Sequence, residues 1–202
     1  MLKKTHTMIK ALVLVPALLL LFACNPLENQ TDSNTILIIE NLTGTDIAGN
    51  TANFLESDVV KVDLDTGAET IFADAATATL RARLLDPQPI NPASEYNSIQ
   101  ITRYTVTYNR SDGKNTEGLD IPYAFEGFLS TRLDVDATVD ISFIIVRAVA
   151  KAEPPLLNLK DGRSEGVITI TARIDIYGKD LREKTVKATG YLTIYFANYA
   201  DE

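Results

Sequence analysis

Residues 166–178 read GVITITARIDIYG, and residues 184–196 read KTVKATGYLTIYF. In the first stretch Ile168, Ile170, Ala172, Ile174 and Ile176 recur at every second position, with Thr169, Thr171, Arg173 and Asp175 between them. In the second, Val186, Ala188, Leu192, Ile194 and Phe196 alternate with Thr185, Lys187, Thr189 and Thr193. Successive side chains of a strand point to opposite faces, so period two predicts two strands with one buried face each. The polar segment from Gly178 to Glu183 joins them, which predicts a long antiparallel hairpin. Gly190 falls on the buried face, where a missing side chain marks a bend or the close approach of a facing sheet.

The same alternation extends upstream. ATATLRARLL (76–85) sets Ala78, Leu80, Ala82 and Leu84 against Thr79, Arg81 and Arg83. SIQITRYTVTYNR (98–110) changes parity: Ile99 and Ile101 share one face, while Tyr104, Val106 and Tyr108 fall on the other. One extra residue near Thr102 or Arg103 reconciles them, which predicts a β-bulge. TVDISFIIVRAVA (138–150) is apolar on one face through Val139, Ile141, Phe143 and Ile145. It carries Ile144 and Val146 on the other, so it reads as a central strand covered on both sides over part of its length. Shorter strands are expected at 36–40, 58–63, 70–73 and 123–132. With turns at Asp86-Pro87, Asp112-Gly113 and Asp161-Gly162, the expected fold is all-β: an antiparallel β-sandwich of immunoglobulin or fibronectin-III type. An up-and-down β-barrel is the alternative, opposed by the prolines of 86–92 and 154–155. Residues 36–75 are less regular and read as an elaboration of the sandwich.

The front of the chain is different. Lys3, Lys4 and Lys10 precede an apolar run from Ala11 to Phe22, the order of a secretory signal peptide. Twelve apolar residues at about 1.5 Å each span roughly 18 Å, short of the ~30 Å hydrocarbon core, and Pro16 weakens a straight spanning helix. Leu21-Phe22-Ala23-Cys24 ends the run with the chain's one cysteine. These four residues resemble the lipobox of bacterial lipoproteins, in which a diacylated cysteine becomes the first residue of the mature protein. The resemblance implies a signal peptide over 1–23, lipidation at Cys24 and attachment to the membrane through that lipid. Asn25, standing where Asp is the usual inner-membrane retention signal, points to the outer membrane of the bacterial envelope. Residues 24–35 are then a lipidated cysteine and polar tether, able to reach at most about 35 Å. Residues 36–202 form a single β-sandwich domain.

Composition narrows the chemistry. Residues 1–23 hold three of the 19 Lys+Arg and none of the 27 Asp+Glu, so the mature chain is strongly acidic. That argues against nucleic acid as a partner, since phosphate backbones call for basic patches. His6 is the single histidine and lies in the signal peptide, and tryptophan is absent. A mature chain without histidine or a free thiol cannot build Ser-His-Asp or Cys-His nucleophile systems or Cys/His zinc sites. Carboxylate chemistry, calcium and Lys/Tyr catalysis remain, and no cofactor is expected.

Three further motifs carry a second resemblance: Lys151…Pro154-Pro155-Leu156, Tyr177-Gly178-Lys179-Asp180, and Phe196-Ala197-Asn198-Tyr199-Ala200-Asp201. Together they resemble a group of uncharacterised bacterial lipoproteins with a single immunoglobulin-like sandwich after the lipobox. The resemblance implies the fold and the anchor, and no activity.

Two candidate sites remain. Asp63-Leu64-Asp65-Thr66-Gly67 followed by Glu69 begins as a calcium loop does, with alternating carboxylates and a glycine, but lacks the third Asp/Asn and the distant bidentate Glu. It reads as a polar turn, with calcium held by Asp63, Asp65 and Glu69 as the alternative. Tyr177, Tyr191 and Tyr195 share the outward parity of the terminal hairpin. They read as cross-strand pairs that stabilise the sheet, or else as an aromatic platform for a protein or glycan. Leu156, Leu157 and Leu159 read as a plug for the open end of the sandwich. The expectation is an envelope lipoprotein, not an enzyme, whose sandwich binds another envelope protein or serves structurally. A glycan or small-ligand module is the alternative, and a carboxylate-dependent glycan hydrolase comes third.

Overall fold

The two stretches with the strictest alternation become the two longest strands. The computed structural model describes residues 31–86, 88, 92–160 and 166–201. In chain order these contain β1 (Thr35–Thr45), β2 (Thr51–Ala52), β3 (Phe54–Asp58), β4 (Lys61–Val62), β5 (Glu69–Thr70), β6 (Asp74–Leu84), β7 (Ile99–Asn109), β8 (Phe125–Leu133), β9 (Thr138–Val146), β10 (Val167–Asp180) and β11 (Thr185–Ala197). A four-stranded sheet ordered β2-β1-β6-β9 packs against a five-stranded sheet ordered β3-β11-β10-β7-β8, and β4 and β5 form a small separate hairpin. The fold is an all-β sandwich. Neighbouring strands are mostly not consecutive in the chain, which is not the order of an up-and-down barrel. Pairings within both sheets are antiparallel except one, β3 lying parallel to β11.

Burial follows the parity of the sequence. Ile168, Ile170, Ala172, Ile174 and Ile176 are buried, as are Val186, Ala188, Leu192, Ile194 and Phe196. Ile170 lies directly opposite Ile194, so each strand's inner face reinforces the other's. A Cβ on Gly190 would come within 3.1 Å of the Ile39 side chain of β1, so the missing side chain marks the close approach of the facing sheet. The bulge is also where the parity break put it. Tyr177 pairs with Arg103 and Gly178 with Ile101, leaving Thr102 as the extra residue.

Several expectations need correction. The hairpin connection is shorter than Gly178–Glu183, because β10 runs on to Asp180 and β11 begins at Thr185. β9 is an edge strand and not a central one. Its double apolar character comes from a register shift at its end, where Asp74 pairs with Val146 and Ala75 with Ile144. The extra residue turns both Ile145 and Val146 inward, while Ile144 stays exposed. The strand expected at 58–63 splits into the end of β3 and the short β4, with buried Val59 and Val60 between them. The strand expected at 70–73 shrinks to β5, and residues 36–62 feed β1 into one sheet and β3 into the other. Leu156 and Leu159 do enter the core, whereas Leu157 is exposed.

Polar groups stitch the layers at one end, where the chain enters. Thr31 bridges to Val186, and Asp32 N–H donates to the Thr185 carbonyl at 2.9 Å. The last residues of the expected tether are thus laid on the sandwich. Ser33 Oγ donates to Asp180 Oδ2 at 2.6 Å, and Thr35 Oγ1 donates to the Asn97 carbonyl at 2.9 Å. Burial works against a charged Asp180, but donors from Ser33, Lys184 and Arg182 outweigh it and hold the carboxyl below its usual range. The stabilisation from Asp180 is therefore present above the ordinary carboxylate value and lost as pH falls through the lowered one.

Truncating Ile170 or Ile194 to Ala is expected to cost about 2–5 kcal/mol in chemical denaturation, since neither site can collapse around the cavity. Thr171→Ala, on the wet face of β10, should shift stability by no more than about 0.5 kcal/mol.

Candidate functional site

The structure does not gather the three tyrosines into one shelf. Tyr191 and Tyr195 are four residues apart on β11, about 13 Å along the strand, and Tyr177 lies opposite Lys187, four residues beyond Tyr191. The rings are strung along the hairpin. Tyr177 lies under the Arg103 guanidinium, 3.8 Å from the ring centre, with Lys187 Nζ at 5.6 Å. Tyr195 meets Phe54 of the neighbouring β3 edge-on, with ring centres 5.8 Å apart. Tyr191 sits opposite Arg173 and is half exposed. Beside them Asp175 accepts from Thr189 Oγ1 at 2.7 Å and from Arg173 Nε at 3.2 Å, with Lys187 Nζ at 3.1 Å. Burial raises its carboxyl, and these three donors more than offset that and lower it. The outer face of the hairpin is a network of its own side chains with Arg103 of β7 and Phe54 of β3.

Asp63, Asp65 and Glu69 lie in and beside the turn that joins β4 to β5. Asp63 Oδ1 accepts the backbone amides of Asp65 at 3.0 Å and Thr66 at 2.8 Å, and Gly67 at φ 69° closes the turn. Glu69 points elsewhere, to an ion pair with Lys160. Among the described residues no three His, Cys, Asp or Glu side chains form a group that could hold a metal ion. Other carboxylates near the strand ends are engaged locally as well: Asp134 accepts from Ser98 and Arg132, and Asp140 from Thr79. Cys24 lies outside the described residues.

The feature missed in the sequence is a cleft of about 320 Å³ at the end of the sandwich away from Thr31, walled by Ile47, Phe72, Lys61, Asp58 and Asp201, with Asp74 and Lys151 in its floor. Lys151 arrives on the helical turn Ala148–Lys151 that follows β9 and is 2 % exposed. Its ammonium donates to the Asp58 carbonyl at 2.7 Å and pairs with both Asp74 carboxylate oxygens at 2.9 Å. Ser57 Oγ, fully buried, donates to Asp74 Oδ2 at 2.6 Å. Asp74 starts β6 in one sheet, whereas Ser57 and Asp58 end β3 in the other, so the cluster clasps the two layers together.

The electrostatics follow from burial. Burial pushes the Asp74 carboxyl up, and the attraction of Lys151 and the Ser57 hydrogen bond offset only part of that. Asp58 is also raised, first by burial and further by the neighbouring Asp201 charge, against the amides of Tyr199 and Val60. Ser57 cannot serve as a nucleophile here, since it is fully buried and its proton is directed at Asp74. What the cleft offers to solvent is the Lys61 side chain and the partly exposed carboxylates of Asp58 and Asp201, beside the exposed apolar side chains of Ile47 and Phe72. The available signal in the sequence was Lys151 itself, a lysine among apolar residues (AVAKAEPP) just past a strand, because a buried ammonium demands a carboxylate.

Compared with known proteins, the chain matches no family model and no curated protein. Among the described residues no helix is long and apolar enough to cross a membrane.

Replacing Lys151 with Met should cost about 3–5 kcal/mol at neutral pH, since it leaves the Asp74 charge without its partner. A carboxyl raised in the folded state binds its proton more tightly there than in the unfolded chain. The penalty of the charged Asp74 is therefore relieved as pH falls through the raised value toward the ordinary carboxylate value. Without Lys151 the rise is larger, so the deficit of the variant should shrink between pH 7 and pH 5 in urea titrations. Calcium is expected to matter little. The melting temperature should stay nearly the same in EDTA and in millimolar calcium, and a rise of many degrees would reinstate Asp63, Asp65 and Glu69 as ligands.

Proposed function

We propose that this chain is a lipid-anchored bacterial envelope protein, held at Cys24 in the outer membrane, whose sandwich works by binding a protein partner and not by catalysis. The observation that carries the reading is where the chain enters the fold. Thr31 and Asp32 lie against Thr185 and Val186 at the start of β11, while the Lys151 cleft lies past Ala197 at the end of that strand. Twelve residue steps of about 3.3 Å separate those ends by roughly 40 Å. A lipid on Cys24, seven residues before Thr31, then keeps the entry pole at the membrane and turns the cleft outward. Lipidation fits this role, since several acyl chains on one cysteine hold firmly where a single chain does not.

A second reading, in which the outward pole takes a glycan or small ligand, is favoured by the cleft itself. Its volume lies at the lower end of ligand pockets, and the raised Asp58 beside Asp201 supplies carboxylates for sugar hydroxyls. Glycan hydrolysis would ask more of the same pair, a spacing of about 5–10 Å with one acid and one base.

Two measurements test the anchored reading. Cys24→Ser should abolish lipid labelling and leave an uncleaved precursor, and processing of that variant to the same mature mass would contradict it. Because the chain has no tryptophan, single introduced ones report position cleanly. In vesicles with a dansyl lipid, Thr185→Trp should transfer energy strongly and Phe72→Trp weakly. Equal transfer would contradict the outward orientation of the cleft.

A further inference from the structure

Phe128, in the middle of β8, is 82 % exposed, the highest value among the large apolar side chains of the described residues. β8 closes one edge of the five-stranded sheet, and among the described residues only β7 pairs with it. Its sequence, FEGFLSTRL, contains no proline and no lysine, the residues that most often blunt a free edge. The other edge on this side is tied across the sandwich. β9 is bulged at its end, and Tyr108 of β7 reaches across to donate to the Ile145 carbonyl at 2.7 Å. Against β7 the register shifts at Thr102, which stands opposite both Leu129 and Ser130; β8 is therefore irregular at its middle, yet burial still alternates along it. Glu126, Phe128, Ser130 and Arg132 are exposed, while Phe125, Gly127, Leu129 and Thr131 are only half covered.

We infer that β8 is a self-association edge, pairing antiparallel with β8 of a second copy of this chain about a two-fold axis at Leu129. The occupant follows from charge. With Leu129 opposite its own copy, Glu126 stands opposite Arg132 of the second copy, and Arg132 opposite its Glu126. Each ion pair extends one that already exists: Arg103–Glu126 at 3.0 Å and Arg132–Asp134 at 2.9 Å. The result is a row of alternating charge across the junction. The same register sets Phe128 opposite Ser130 and diagonal to the other Phe128, within reach for aromatic side chains on one face. On the inner face Leu129 meets Leu129, so this half-covered position gains cover, while Phe125 comes opposite Leu133, which is already buried. Moving the axis to Ser130 would set Glu126 against Asp134 instead. A two-fold contact of this kind is self-complementary and closes at two copies. It is independent of the cleft and of the lipid anchor.

The test is sedimentation equilibrium of the full chain in density-matched detergent, with Glu126→Lys and Arg132→Glu. Wild type should dimerise, and each reversal, which sets like charges opposite each other twice, should weaken dimerisation by about tenfold or more. An equimolar mixture of the two variants should recover wild-type affinity, because both contacts between positions 126 and 132 of the mixed pair again join opposite charges. Leu129→Cys, made in a Cys24→Ser background, gives a reading free of charge changes: under mild oxidation it should form a disulfide dimer that the background chain does not. A wild-type chain that stays monomeric, as expected if the edge takes a strand from a different protein, would overturn the inference. So would reversals without effect, or a mixture no tighter than its components.

Discussion

The contact between the inner face of the β10–β11 hairpin and the facing sheet is what the rest of this molecule is arranged around. β10 is flanked by β7 and β11, and β11 by β10 and β3, so the hairpin supplies the central strands of the larger sheet. Its inward positions are mostly β-branched or aromatic and all but Gly190 are buried, each of the larger ones contributing on the order of 1.5–3 kcal/mol of apolar burial. One position cannot be filled. At Gly190 the Ile39 side chain of β1 crowds the space a Cβ would take, so a glycine in a strand interior, ordinarily a cost, here lets the layers close.

Apolar contact alone does not set how two sheets are aligned, because it is indifferent to sliding. The polar clusters at the two ends supply that direction. At the entry end Ser33 reaches Asp180 and Thr35 reaches the Asn97 carbonyl, tying the start of β1 to the opposite sheet. At the cleft end Lys151 joins Asp74 of β6 to the Asp58 carbonyl of β3. At that same end Tyr108 crosses from β7 to the carbonyl of Ile145 in β9, next to Val146, the partner of Asp74. A dry middle with directional bonds at each end is a simple way for a sandwich without disulfides to hold one alignment. It also leaves one end carrying the incoming chain and the other a cleft.

Local periodicity made the architecture readable. Residues 166–197 could be assigned face by face, and the parity break at Thr102 located a bulge, because both depend only on neighbours in sequence. β9 misled for the same reason: a bulge and a two-sided strand leave similar apolar runs, and only the partner strand, here Asp74 and Ala75, separates them. The parallel docking of β3 on β11 joins segments almost 140 residues apart and has no local signature. The cleft was invisible on those grounds. Ser57, Asp58, Asp74, Lys151 and Asp201 come from widely separated parts of the chain, and each looks like an ordinary polar residue until the fold brings them together. The tyrosines were the converse, conspicuous in sequence and then found engaged along the hairpin.

Native-state hydrogen exchange bears most directly on the claim that the β10–β11 hairpin is the element on which the fold depends. The amides that pair β10 with β11 and with β7 should be the slowest in the molecule, exchanging only through global unfolding and responding to denaturant with the full slope of that transition. Those of β4, β5 and the edge β8 should open locally and faster. If the β10–β11 amides exchange through a local opening while the β1–β6 amides remain protected, the smaller sheet is the stable unit and the hairpin does not hold the fold together.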